Sequence, residues 1–231
     1  MDIMNNWLTR FAELIGSSVC HQLAYRSFWA GTVKIPVCAR CEGIYAGFFI
    51  SAIFLFCFFR KKQGELPPLY IIITLALFIL SAFAEWGFSF FSLFESTNIS
   101  RFITGYLAGS ASMTIVFPVF NYQYYSDAVS ERIFPRLWQF AVFISVSAVF
   151  ITMGLAGITV INNVYYYVTF ISILFTFYFT NLVIVLLFRV FAKKAHRLFS
   201  GRIILPSLIA LILSGIELYI SYLIHQYAAG L

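Results

Sequence analysis

Three of the four cysteines in this chain fall within one short stretch, and their spacing is that of ligands or of a redox centre. Cys38 and Cys41 form a C-x-x-C pair, and Cys20, followed directly by His21, lies 18 residues upstream. A three-residue interval turns both sulfurs of the pair to one side of a turn, so they can share a metal ion. Cys20 and His21 can complete a Cys₃His tetrahedron around Zn²⁺. Neighbouring side chains diverge, so His21 is either the fourth ligand or a support for the ligands. Gln22, Arg26 and Arg40 are the other polar residues of the stretch suited to that supporting role. The pair opens a helix, where the backbone dipole favours thiolate, and thiolate serves metal binding and disulfide exchange equally. The same residues therefore also fit a thiol–disulfide oxidoreductase, with Cys38 and Cys41 as the redox pair, Cys20 as the exchanging thiol and a quinone as electron acceptor. A purely structural C-x-x-C disulfide would close too small a loop to constrain much chain. Cys57, alone in an apolar run, reads as a small hydrophobe.

The elements that must position these residues are set by a composition no soluble domain has. Of 231 residues 61% are hydrophobic, 20% aromatic and 10% charged, against about 25% charged in soluble domains. Disorder, coiled coil and soluble α/β or all-β folds are excluded, because lipid must solvate most of the chain. Six runs are long enough to span, at 42–59, 69–91, 102–122, 137–161, 164–191 and 203–227. Each is bounded by charges, prolines or a polar pair such as Asn162–Asn163. Their continuity excludes an alternating β-barrel. The expected fold is an all-α membrane protein, a six-helix bundle preceded by an amphipathic helix and a Cys/His-containing extramembrane hairpin. Residues 1–41 carry the helix and the metal-site segment, and 42–231 the bundle, folding with 1–41 as one unit.

Within the first 19 residues Ile3, Met4, Trp7, Leu8, Phe11, Leu14 and Ile15 repeat at helical spacing among polar residues, which predicts a helix lying in the interface. Ten of the 15 Lys and Arg fall on one side of the predicted spans. That side is the cytoplasmic one by the positive-inside rule, which puts both termini and the Cys site outside. Tyr165–Tyr167 and Trp138 read as interfacial belts.

Ionisable residues inside spans are costly and point to function. Glu85 and Glu217 are the clear ones, with Arg101 and His225 at span ends on the Cys side. A Glu85–Arg101 ion pair is the structural expectation. Glu217, without a basic neighbour in sequence, is the better candidate for ion or proton handling, and His225 reads as an interfacial residue. Gly43-x₃-Gly47 and Gly105-x₃-Gly109 predict close packing of the first and third spans, which would bring the Cys site towards Arg101. Nucleotide-binding loops, a nucleophile elbow and the H-E-x-x-H zinc motif do not occur. The basic run 193–202 is a topology signal and lipid contact, not a nucleic-acid surface.

The run Cys20-His21-Gln22, Arg26-Ser27-Phe28, Pro36, Cys38-Ala39-Arg40-Cys41, Gly43-Ile44-Tyr45 and Gly47 resembles the signature of a prokaryotic membrane family, domain of unknown function 2085. A second block, Ser96-Thr97-Asn98, Arg101, Thr104-Gly105 and Gly109, is similar to that family's downstream segment. The chain departs from the pattern at Ala24, where Pro is expected, at Glu42, where a small hydroxyl residue is usual, and at Glu85, where Asp is expected. The resemblance implies a multi-pass protein of the cell membrane and supports the Cys site without naming its chemistry. Three functions follow as expectations. The first is a zinc-site protein serving transport of a small solute or ion, or metal-dependent chemistry on such a solute or a lipid, in a cavity near Glu85, Arg101 and Glu217. The second is the quinone-coupled oxidoreductase, and the third a scaffold with structural zinc.

Overall fold

Each long apolar run folds as a helix, and where a run begins is decided by its capping residues. The computed structural model describes residues 7–30, 33–93, 95–160, 162–198 and 200–229. The order is α1 (Trp7–Val19), β1 (Trp29–Ala30), β2 (Val33–Lys34), α2 (Ala39–Phe58), β3 (Gln63–Glu65), α3 (Leu69–Phe90), α4 (Asn98–Tyr124), β4 (Val129–Arg132), α5 (Leu137–Val160), α6 (Asn162–Leu187) and α7 (Ile204–Ala229). Among the described residues, six helices are long and apolar enough to cross a membrane. The protein is an all-α, multi-pass membrane bundle.

α2, α4 and α6 begin earlier than hydrophobicity alone predicts. α2 starts at Ala39 because Cys38 takes the extended N-cap conformation. α4 starts at Asn98 because Thr97 and Ser100 form a reciprocal capping box, with the Ser100 N–H donating to Thr97 Oγ1 at 3.1 Å and the Thr97 N–H to Ser100 Oγ at 3.1 Å. The Pro67–Pro68 pair ends the preceding loop, and Pro68 occupies the N-cap of α3. The turn expected at Asn162–Asn163 is instead the first turn of α6, so α5 and α6 meet across residue 161, outside the described residues.

α4 is the centre of the bundle, packed closely on α2 and also against α3. Gly43 and Gly47 of α2 face the Phe102 and Tyr106 carbonyls, while Gly105 and Gly109 of α4 face the Arg40 and Ile44 carbonyls. A Cβ at any of the four would overlap the opposing oxygen, so only glycine permits this approach. Towards the far end of this seam an aromatic core takes over, in which Phe56 packs against Phe117, Phe120 and Phe179.

α1 docks on α6 and α7. Ala12 and Ile15 are buried, Glu13 is exposed, and Phe11 meets Phe170 edge-on. Ile3 and Met4 of the predicted amphipathic stripe lie outside the described residues, as does the Tyr165 side chain of the predicted belt. Trp138 is half exposed against Phe58. At the end opposite the Cys site, β3 pairs with β4 and Lys62 Nζ binds Asp127 Oδ2 at 2.6 Å and the His196 carbonyl at 2.7 Å.

Candidate metal centre

Cys20 leaves the end of α1, Cys38 caps α2 and Cys41 completes the first turn of α2. A two-stranded hairpin, β1–β2, returns the chain between them. Gln22 holds the return in place: its Nε2 donates to the Pro36 carbonyl at 2.8 Å and the Glu13 carbonyl at 3.1 Å, and its own carbonyl accepts from Lys34 Nζ at 2.9 Å. It does so in the left-handed region, at φ 50°, which turns the chain sharply just after Cys20.

The three sulfurs lie within 4.8 Å of one another, with Cys38 Sγ and Cys41 Sγ 3.4 Å apart. Tetrahedral zinc with Zn–S near 2.3 Å separates its sulfurs by about 3.8 Å, so the triad fits with little movement. Backbone N–H groups already point at one sulfur: Cys20 Sγ accepts from the Cys38 N–H at 3.2 Å and the Gln22 N–H at 3.5 Å. The Cys20 and Cys41 thiols, with the backbone N–H groups of Cys41 and Arg40, hold the Cys38 thiol below the ordinary thiol range. The same sharing with Cys38 pushes the Cys20 thiol up. One thiolate is therefore easily formed, and a second or third is opposed by the first. A cation bound between them removes that opposition.

His21 stands apart from the three sulfurs. Its ring is exposed and meets the ring of His225 edge-on, with centroids 4.9 Å apart. His225 Nδ1 lies 2.9 Å from the Ser221 carbonyl, and Ser221 Oγ donates to the Ser18 carbonyl, so the end of α7 is tied to the chain leading into the site. Cys57 is exposed at the far end of α2. Two neighbours were not anticipated from sequence. Glu42, next to Cys41, is fully buried. Tyr45, one helical turn beyond Cys41, packs with Cys38 and Cys41, and i, i+4 spacing was the available signal for it.

The intramembrane charges are partnered differently from the expectation. Glu85 pairs with Arg40, not with Arg101: Arg40 Nε donates to Glu85 Oε2 at 3.0 Å and Nη2 donates to the same oxygen. Sequence depth placed Glu85 and Arg101 together, but helix rotation turns Arg101 to Asn98, whose Oδ1 accepts from Arg101 Nη1 at 3.1 Å. Asn98 Nδ2 in turn donates to the Tyr25 and Ser27 carbonyls, at 3.3 and 3.4 Å, fixing the hairpin segment to α4. Arg26 is exposed over the Tyr25 ring. Glu217 does not join these groups. It lies exposed on α7, which packs on α6 and α1, and accepts from Asn181 Nδ2 of α6 at 2.7 Å. Glu85 of α3 is thus held by α2, and Glu217 of α7 by α6.

Residues 20–115, which span the Cys triad, the glycine seam and the Arg40–Glu85 pair, match the family described as "Predicted membrane protein (DUF2085)". An uncharacterized protein of Methanothermobacter thermautotrophicus is 35% identical over 91 residues, 39% of this chain and 78% of that protein. The chain belongs to this family. An uncharacterized protein of Methanocaldococcus jannaschii is 36% identical over 106 residues, 45% of this chain and 65% of that protein. No solved structure matches. The region shared with the family is the site-bearing half, and α5 to α7 lie beyond it.

Proposed function

We propose that this protein is a zinc-binding membrane protein acting at one surface of the bilayer, with Cys20, Cys38 and Cys41 as ligands and the fourth position taken by a ligand from outside the chain. The observation that carries this reading is the convergence of three thiols from two separate segments within 4.8 Å. Three protein ligands with an open fourth position are the pattern of sites that do chemistry. Zinc bound there would supply a Lewis-acidic position open to a small molecule or ion. The chain's own contributions are to hold the three thiolates, to direct N–H groups at Cys20 and to keep His21 outside the ligand set, paired with His225. The polar groups gather at one end of the bundle, and Glu217 lies apart from them, which favours surface chemistry over passage of a solute through the bundle. The basic residues at the opposite end support an orientation with the Cys site on the extracytoplasmic face. Glu95→Cys, exposed at the Cys end, should then react with an impermeant maleimide in intact cells.

The 3.4 Å separation of Cys38 and Cys41 sulfurs favours a second reading, a redox pair. Metal content and free-thiol count on protein purified without chelator or reductant separate the two. The zinc reading expects about one zinc per chain, lost in Cys38→Ser and in Cys41→Ser and retained in Cys57→Ser. No zinc with two thiols missing would replace it with a Cys38–Cys41 disulfide, and quinone reduction would be measured next.

A further inference from the structure

Beside the Arg40–Glu85 pair, a cavity of about 420 Å³ opens along the flank of the bundle. Its walls are Arg40 and Ile44 of α2 and Ala82, Phe83 and Trp86 of α3; Ala108 and Ser112 of α4 form its floor. It exists because α4 separates α2 from α3 and presents small side chains between them. From Trp86 to Ile79 it follows two turns of α3, about 10 Å at 1.5 Å per residue. Phe83 and Trp86 are 65% and 55% exposed, so the groove opens sideways, towards lipid.

Its polar end is unlike its walls. Arg40 commits Nε and Nη2 to Glu85, leaving the donors on Nη1 for a ligand. Arg26, Glu85 and Arg40 all lie near enough to act electrostatically on Arg101. Arg40 lines the apolar trough, and the charges of Arg26 and Arg101 stand near enough to its ion pair with Glu85 to leave that neighbourhood net positive. Glu85 is 7% exposed, and its Oε1 has no hydrogen-bond partner among the described residues. An acyl chain would suit the trough and a phosphate the surplus of positive charge.

We propose that this groove is a binding site for an anionic phospholipid of the surrounding bilayer, its phosphate against Arg40 and its acyl chain over Ile44, Ala82 and Ala108. The groove is built by α2, α3 and α4, with Arg26 adding only its charge from the segment before α2, and it needs no metal at the thiols.

The test is lipid titration of delipidated protein in neutral detergent, read by native mass spectrometry and melting temperature. Two uncompensated positive charges predict phosphatidylglycerol binding on the order of 30-fold tighter than phosphatidylcholine, at one lipid per chain. Inorganic phosphate at the same concentration should neither stabilise nor compete. Ala108→Phe, which fills the groove floor, should lose that selective binding. Arg26→Gln, at an exposed position, should weaken it about fivefold. Equal binding of the two lipids, competition by inorganic phosphate, or undiminished selectivity in Ala108→Phe would overturn the proposal. If Ala108→Phe fails to fold, an unchanged affinity in Arg26→Gln overturns it alone. Zinc content measured on the same samples keeps this outcome distinct from that of the metal site.

Discussion

Replacing Gly105 or Gly109 with alanine separates two opposed effects of the same methyl group. In the α2–α4 seam, a Cβ at these positions would meet the Arg40 and Ile44 carbonyl oxygens well inside the 3.0 Å limit for real contacts. The helices must part by roughly 0.7–1 Å to admit it. A gap of that size forfeits a quarter to a half of each dispersion contact along the seam, so each substitution should cost about 2–3 kcal/mol. Gly215, in the middle of α7, is the control, since nothing lies within 4 Å of its added Cβ. There alanine should stabilise by about 0.5–1 kcal/mol, the ordinary helical advantage over glycine. The assay is thermal or denaturant unfolding in one detergent, with zinc retention followed in parallel. Because the Arg40 carbonyl belongs to the residue before Cys41, Gly105→Ala should also loosen the metal, and Gly215→Ala should not. Equal stability of Gly105→Ala and Gly215→Ala would refute the glycine seam.

Further expectations concern the charges. Glu85→Leu leaves the partly buried Arg40 without its carboxylate and should destabilise by about 2 kcal/mol, while Arg40→Met with Glu85→Leu recovers most of the loss; a double-mutant cycle by unfolding checks this. Glu217→Gln retains an acceptor for Asn181 and should melt like the parent, whereas Glu217→Leu strips one partner from a buried amide and should cost about 1–2 kcal/mol. The hydrogen bond from Lys62 lowers the Asp127 carboxyl below its ordinary value. Its contribution is therefore present above the usual Asp range near pH 4 and is lost as pH falls through the lowered value. Unfolding measured against pH should show this acid-side loss in the parent and not in Lys62→Met.

Most of the architecture could be read before any coordinates. Twenty-residue apolar runs have one solution in lipid, so the six spans followed from length alone, and the paired Gly-x₃-Gly motifs identified α2 and α4 as neighbours. The thiol triad was legible because C-x-x-C spacing at a helix start has few geometries. Two features were not legible, for one shared reason. Sequence position gives the depth of a residue along a span but not the rotation of the helix about its axis. Glu85 faces Arg40 and not Arg101, and Glu217 turns to Asn181 of α6, contacts that depth alone does not specify. His21 depended on the turn at Gln22, whose left-handed conformation no pattern in the sequence announced.

A zinc ion held by three thiolates with its fourth position open has a distinctive zinc K-edge absorption fine structure, measurable on the purified protein. Three sulfur neighbours near 2.3 Å and one lighter neighbour near 2.0 Å are expected, with the sulfur count falling in Cys20→Ser while His21→Ala leaves the spectrum unchanged. A spectrum without sulfur around zinc, or a light-atom signal abolished by His21→Ala, would contradict it.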